Sequence, residues 1–209
     1  MKIKPGIILL MLGIMGAVFS CIPSLYPLYR DKDLVIDEKL EGVFGYEDDE
    51  DYWKIEHLEK DNVVGQESGW KYYKSGYTYR LSVMEEGELE EFALHMLYLG
   101  EDMYLDFFPV DYRIRPDFLE LHLAPTHIFA KAEISEERLV LHFFDIDWLE
   151  NLIDQNRIKI SHLELEDRYL LTAKTEELQQ FIMKFSNDST TFIDADTLPR
   201  HYPGLVSDL

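Results

Sequence analysis

From Leu40 onward the side chains of this 209-residue chain alternate with a period of two, and that alternation leaves few folds open. Tyr77, Tyr79, Leu81 and Val83 alternate with Thr78, Arg80, Ser82 and Met84, and Leu119, Leu121 and Leu123 with Glu120 and His122. Ile128, Ala130, Ala132 and Ile134 alternate with His127, Phe129, Lys131 and Glu133, and Leu139, Leu141 and Phe143 with Val140, His142 and Phe144. Successive strand side chains point to opposite faces, so these runs read as β-strands. Ser75-Gly76 between them fits a two-residue hairpin, Glu85-Glu86-Gly87 a three-residue one with a left-handed glycine, and Gly100-Glu101 a type II′ turn, which takes glycine first. Short connections require antiparallel neighbours. The expected fold is mainly β: an antiparallel meander of about eight to ten strands forming a lipocalin-like barrel or a strongly curved sheet, with an open two-sheet sandwich as the alternative.

Register is legible where both faces are distinctive, because a slip of one residue sets apolar side chains against polar ones. Across Ser135 to Arg138, Ile134 pairs with Leu139, Ala132 with Leu141, Ala130 with Phe143 and, on the other face, Lys131 with His142. If Gly100-Glu101 is a whole turn, Leu99 faces Asp102, Tyr98 pairs with Met103, Met96 with Leu105 and Leu94 with Phe107. The opposite face then sets Leu97 against Tyr104 and His95 against Asp106. A carboxylate opposite an imidazole should raise the pKa of His95, while burial opposes that shift. Phe92, Leu94, Met96 and Tyr98 alternate with Ala93, Leu97 and Leu99, so this strand is apolar on both faces, as a barrel wall between a lumen and a covering helix would be.

Two segments read as helices. Asp147 to Ile153 is short and capped by Asp145 or Asp147. A longer one opens at Thr175 as cap and places Leu178, Phe181, Ile182 and Phe185 at i, i+3, i+4 and i+7, with Glu176 and Glu177 in its first turn.

The first twenty residues carry an address. Lys2 and Lys4 precede the thirteen-residue apolar run Ile7 to Phe19, and the segment closes on Val18-Phe19-Ser20-Cys21. The run is too short for a membrane span and has the form of a secretory signal. Residues 1–20 are therefore expected as a signal peptide and 21–33 as a Pro-containing tether. Residues 34–187 should form a single β-rich domain, and 188–209 a polar, irregular tail. The tether is apolar, with Ile22, Leu25, Tyr26, Leu28 and Tyr29. It either packs on the domain, which is the expectation, or sets its tyrosines at the level of lipid headgroups.

The formal net charge of −21 excludes one partner class, and losing residues 1–20 would remove two lysines and no acid. Phosphate backbones are bound by clustered Lys and Arg, and no basic run exists, so no nucleic acid is expected. No nucleophile-elbow, Walker-type, His-Glu-x-x-His or Cys-x-x-Cys motif occurs, and no cofactor is implied. Glu47 to Asp51 lacks the ligand spacing of a calcium loop. His122 and His127 flank Leu123-Ala124-Pro125-Thr126 with the same face parity and are the best pair for a metal, although no metal site is assigned. His95, Asp106, His122 and His127 are the candidate ligand or polar-pair positions, and no catalytic residue is identified.

Val18-Phe19-Ser20-Cys21 resembles the lipobox of bacterial lipoproteins, in which the cysteine receives a thioether-linked diacylglycerol and becomes an acylated amino terminus. Cys21-Ile22-Pro23-Ser24-Leu25-Tyr26-Pro27-Leu28-Tyr29, Leu97-Tyr98-Leu99-Gly100, Ala124-Pro125-Thr126-His127, Asp147-Trp148-Leu149 and Leu171-Thr172-Ala173-Lys174-Thr175 resemble a family of uncharacterised bacterial lipoproteins that carries no assigned function. A more distant likeness is to lipocalin-type barrels: Gly42-Val43-Phe44 stands where those open with Gly-x-Trp, with Phe44 in place of the Trp. The resemblance implies an exported envelope protein, lipid-attached at Cys21 to a membrane, the outer membrane favoured. The expected role is non-enzymatic binding of a lipid or other apolar or amphipathic small molecule in a barrel. The alternative is an interaction or scaffolding subunit with a filled core, whose partner is another envelope protein.

Overall fold

A computed structural model describes residues 21–46, 49–58, 76–110, 124–165 and 168–201. In chain order its strands are β1 (Leu34–Val35), β2 (Gly42–Gly45), β3 (Tyr52–Leu58), β4 (Thr78–Glu85), β5 (Glu88–Leu99), β6 (Asp102–Pro109), β7 (Ile128–Ile134) and β8 (Arg138–Phe143). Helix α1 (Ile146–Asp154), the hairpin β9 (His162–Leu165) and β10 (Arg168–Leu171), helix α2 (Thr175–Phe185) and strand β11 (Asp196–His201) follow. The order β5-β4-β3-β2-β11-β8-β7-β6, with β6 returning to β5, closes an eight-stranded antiparallel barrel. Strand β6 takes one edge of β5 from Phe92 to Leu99, while β4 and then β1 share its other edge.

Both registers read from the sequence are present, residue for residue, in the β5–β6 and β7–β8 pairs. At Gly100 φ is +65°, with no positive φ at Glu101, as a type II′ turn requires. One other turn differs from expectation. Glu85 pairs directly with Glu88, so Glu86-Gly87 is a two-residue loop with both φ positive, the type I′ form that matches strand twist. Thr78 pairs with Leu58 across β3 and β4, and the turn expected at Ser75-Gly76 falls outside the described residues, which resume at Gly76. The expected strand 119–123 also lies outside them.

The wall has two apolar faces, and each has its own core. Phe44, Ile55, Tyr79, Leu81, Leu94, Met96, Leu105 and Leu141 fill the lumen. On the outer face Leu97, Leu99, Tyr104 and Phe129 are covered by α1, α2 and the amino-terminal segment through Leu149, Leu178, Phe181, Ile182, Ile22 and Leu28. Asp145 caps α1 by accepting from the Asp147 N–H. Thr175 does not cap α2. Lys174 occupies that position, and the Thr175 hydroxyl donates instead to Pro27 O at 2.8 Å.

Residues 21–33 are packed on the barrel wall as a strap. Ser24 bridges to His127 and Leu171, and Leu28 is fully buried. The Gln179 amide on α2 donates to Leu28 O and to Asp33 Oδ2, each at 2.8 Å, and accepts from Arg30. The expected irregular tail is also corrected, because Asp196–His201 is the strand that closes the barrel. Its residues Asp196–Pro199 pair with β8 and Arg200 and His201 pair with β2, so Pro199 sits where the strand passes from one partner to the other. Proline has no N–H to donate and in a doubly paired position would forfeit a ladder bond; here it is paired with β8 alone.

Arg200 shuts one end of the lumen. Its guanidinium lies 4.6 Å from the Phe44 ring centroid, donates to Glu41 O at 2.6 Å and also to Lys39 O. The Tyr79 hydroxyl ties the same end by accepting from Asp37 N–H at 2.7 Å and donating to Asp37 O at 3.1 Å. Gly42 makes this closure fit: φ is +148°, and a Cβ there would stand 2.4 Å from Arg200 Nη1. Gly42→Ala should therefore lower stability by about 1–3 kcal/mol in urea denaturation. An unchanged midpoint would show that Arg200 does not need that close approach.

Candidate functional site

The predicted polar residues meet on the outer wall, not in the lumen. His95 on β5 and Asp106 on β6 stand opposite each other as the register requires. Their partners are different from those expected. Asp106 is 0% exposed; its Oδ1 lies 2.7 Å from His127 Nδ1 and its Oδ2 accepts from the Leu28 N–H at 2.8 Å. His95 Nε2 lies 3.0 Å from Thr78 Oγ1, under the Tyr29 ring at a centroid distance of 4.3 Å. His127 is fixed from both sides, by the Phe108 ring at 4.5 Å and by backbone hydrogen bonds in both directions with Ser24.

Burial decides the titration of His95. It drives the pKa down to about 3, with repulsion from His127 adding, so the upward shift expected from a facing carboxylate is overturned. Burial likewise raises the Asp106 pKa, opposed by its hydrogen bonds with His127 and Leu28. Neither imidazole faces solvent, and together these groups anchor the strap instead of presenting a nucleophile. The unfolded chain takes up a proton on His95 near ~6.5, the folded chain only near 3, so stability falls as pH drops below the unfolded value. Between pH 7 and pH 5 the loss from this residue should be about 2 kcal/mol. Comparing urea midpoints of the wild type and His95→Gln across that window checks it; parallel curves would remove His95 as the cause.

His122, and with it the expected pair with His127, lies outside the described residues. Cys21 is buried beside Asp145, and burial, with the charge of Asp196, pushes its thiol up to about 12. Such a thiol is not a nucleophile in the folded domain. Among the described residues no three His, Cys, Asp or Glu converge as a metal site, and no helix is long and apolar enough to cross a membrane.

The second place of interest is the lumen end opposite Arg200. Trp53, Val83, Phe92 and Phe143 point inward there and are only partly buried, around Phe107. The Trp53 and Phe143 rings each lie 6.0 Å from Phe107. Cys21 and Asp196 stand at this same end, where β8 finishes and β11 begins. The arrangement offers flat apolar surface with the Asp196 carboxyl at its edge, and burial raises the Asp196 pKa.

No family model, curated protein or solved structure matches the chain. The lipocalin-type likeness therefore stands on the closed barrel itself, and a barrel does not assign a function. The resemblance to exported lipoproteins stands on the sequence alone. Arg200 and Gln179, which hold the lumen end and the strap, gave no sequence signal beyond being a lone arginine in a polar stretch and one of two adjacent glutamines on a helix.

Proposed function

We propose that this protein is a non-enzymatic, exported lipoprotein, anchored through Cys21 to an envelope membrane, whose barrel accepts an apolar or amphipathic ligand at its open end. The observation that carries the reading is the asymmetry of the lumen. One end is shut by Arg200 and by residues 37–40, and the other leaves Trp53, Val83, Phe92 and Phe143 partly uncovered. Ligand sites are characteristically concave and apolar with a few polar groups, and Asp196 supplies a polar group here. Phe44, Tyr79, Leu81 and Leu94 fill the middle of the lumen, so the ligand would seat at the mouth, over a single acyl chain or ring system.

That filled middle is also what favours the second reading, an envelope scaffolding subunit with a packed core. The two separate on titration with the apolar fluorophore 1-N-phenylnaphthylamine. A ligand-binding mouth predicts saturable emission that weakens roughly tenfold in affinity, about 1.4 kcal/mol, in Trp53→Ala. No saturable binding by the wild type supports the scaffold. The anchor is tested apart from the ligand: the thioether needs the thiol, and three acyl chains hold where one does not, so Cys21→Ala should release the protein from membranes or leave it unprocessed. A membrane-bound Cys21→Ala form of mature length would remove the anchor.

A further inference from the structure

The hairpin β9–β10 and the strap form a small sheet whose outer face is left uncovered among the described residues. Leu171 N–H donates to Pro23 O at 3.0 Å and Leu25 N–H to Leu171 O at 2.8 Å, so the strap runs as a third strand along the free edge of β10. Leu163 pairs with Leu170, and Tyr169 with Glu164. Tyr169, Leu171 and Ser24 are buried, facing inward. Strand alternation therefore sends Leu163, Leu165, Leu170 and Leu25 to the opposite, outward face. The exposures agree: Leu163 53%, Leu165 44%, Leu25 41% and the adjoining Tyr26 39%.

We infer that this face is a second membrane contact, which lays the barrel on the lipid surface with its open end beside the bilayer. The inference rests on the anchored reading for one point only, that Cys21 carries lipid. Two further observations favour lipid over a protein partner. Cys21 lies two residues before Pro23, so an anchor there would hold the face against the membrane with no slack. The charge is also unlike the rest of the chain. The strap residues 21–30 carry Arg30 and no acid, within a chain of net charge −21. The strap strand of this face therefore brings no acid that anionic lipid would repel, unlike most of the chain. Leucines reaching into the acyl boundary with a tyrosine at headgroup level suit an interfacial contact.

The test is photo-crosslinking of the full chain in its membranes, with benzoylphenylalanine in place of Leu163, of Leu25 or, as a control at the other end of the barrel, of exposed Tyr98. Lipid adducts at residues 163 and 25 at least tenfold above those at 98 are expected. Protein adducts at 163, no adduct there, or equal lipid labelling at 98 would each overturn the contact. Fractionation of Cys21→Ala, run in parallel, reports on the anchor separately. Lipid adducts at 163 alongside a failed anchor leave the contact standing, and an intact anchor without those adducts removes the contact alone.

Discussion

Asp106→Ala should destabilise the protein by about 3–5 kcal/mol and loosen the strap from the wall. The carboxylate is wholly buried and serves two donors at once, His127 Nδ1 at 2.7 Å and the Leu28 N–H at 2.8 Å. Alanine would leave both without an acceptor in a place water does not reach, and an orphaned buried polar group costs about 1–3 kcal/mol, more where charge is involved. Asp106→Asn should cost less, because its carbonyl still accepts one of the two bonds. Urea denaturation measures the loss, and hydrogen exchange at the Leu28 amide locates it. A double-mutant cycle of Asp106→Ala with His127→Ala should give a coupling of about 1–3 kcal/mol, and the same cycle with His95→Ala a value near zero. A loss under 1 kcal/mol with the Leu28 amide still protected would sink this account.

Phe181→Asp should cost about 4 kcal/mol, from lost apolar burial together with a charge placed where no partner waits. Phe181 is buried on α2 beside Leu178 and Ile182, with the Trp148 ring at 5.9 Å and the Phe185 ring at 5.2 Å. The helix also carries Thr175 and Gln179, which hold Pro27 O and Leu28 O. Undocking α2 would therefore release the strap as well, and exchange protection should fall at Leu28 as well as along the helix. Met183→Asp, two residues on at an exposed position, is the control and should stay within about 0.5 kcal/mol. Equal thermal stability for Phe181→Asp and the wild type would mean that the stripe does not dock.

Strand β5 shows why so much of the barrel was legible in one chain. Its residues are apolar on both faces, its turn at Gly100 has a single geometry, and a one-residue slip would oppose Leu94 to Asp106, so local chemistry alone selects the observed pairing. The same holds for Ile134 opposite Leu139. The stripe of α2 was legible because its period of 3.6 is the helix's own.

Strand β11 shows the limit. It has Leu198 as its only aliphatic side chain among Asp196, Thr197, Pro199, Arg200 and His201, so no hydrophobic period marks it. It is a strand because β8 and β2 would each otherwise present an unpaired edge, and an edge is a property of the assembled sheet. The partner of Asp106 was decided in the same way. The register brought His95 opposite it, but the strap and the start of β7 delivered the Leu28 N–H and His127 from 78 and 21 residues away. The sequence by itself determined the alternation of β4 to β8, the β5–β6 and β7–β8 pairings and the apolar faces, because these depend on neighbours along the chain. Which strand closes the barrel, which end stays open and which donors reach a buried carboxylate depend on distant groups arriving together, and only the tertiary structure decides them.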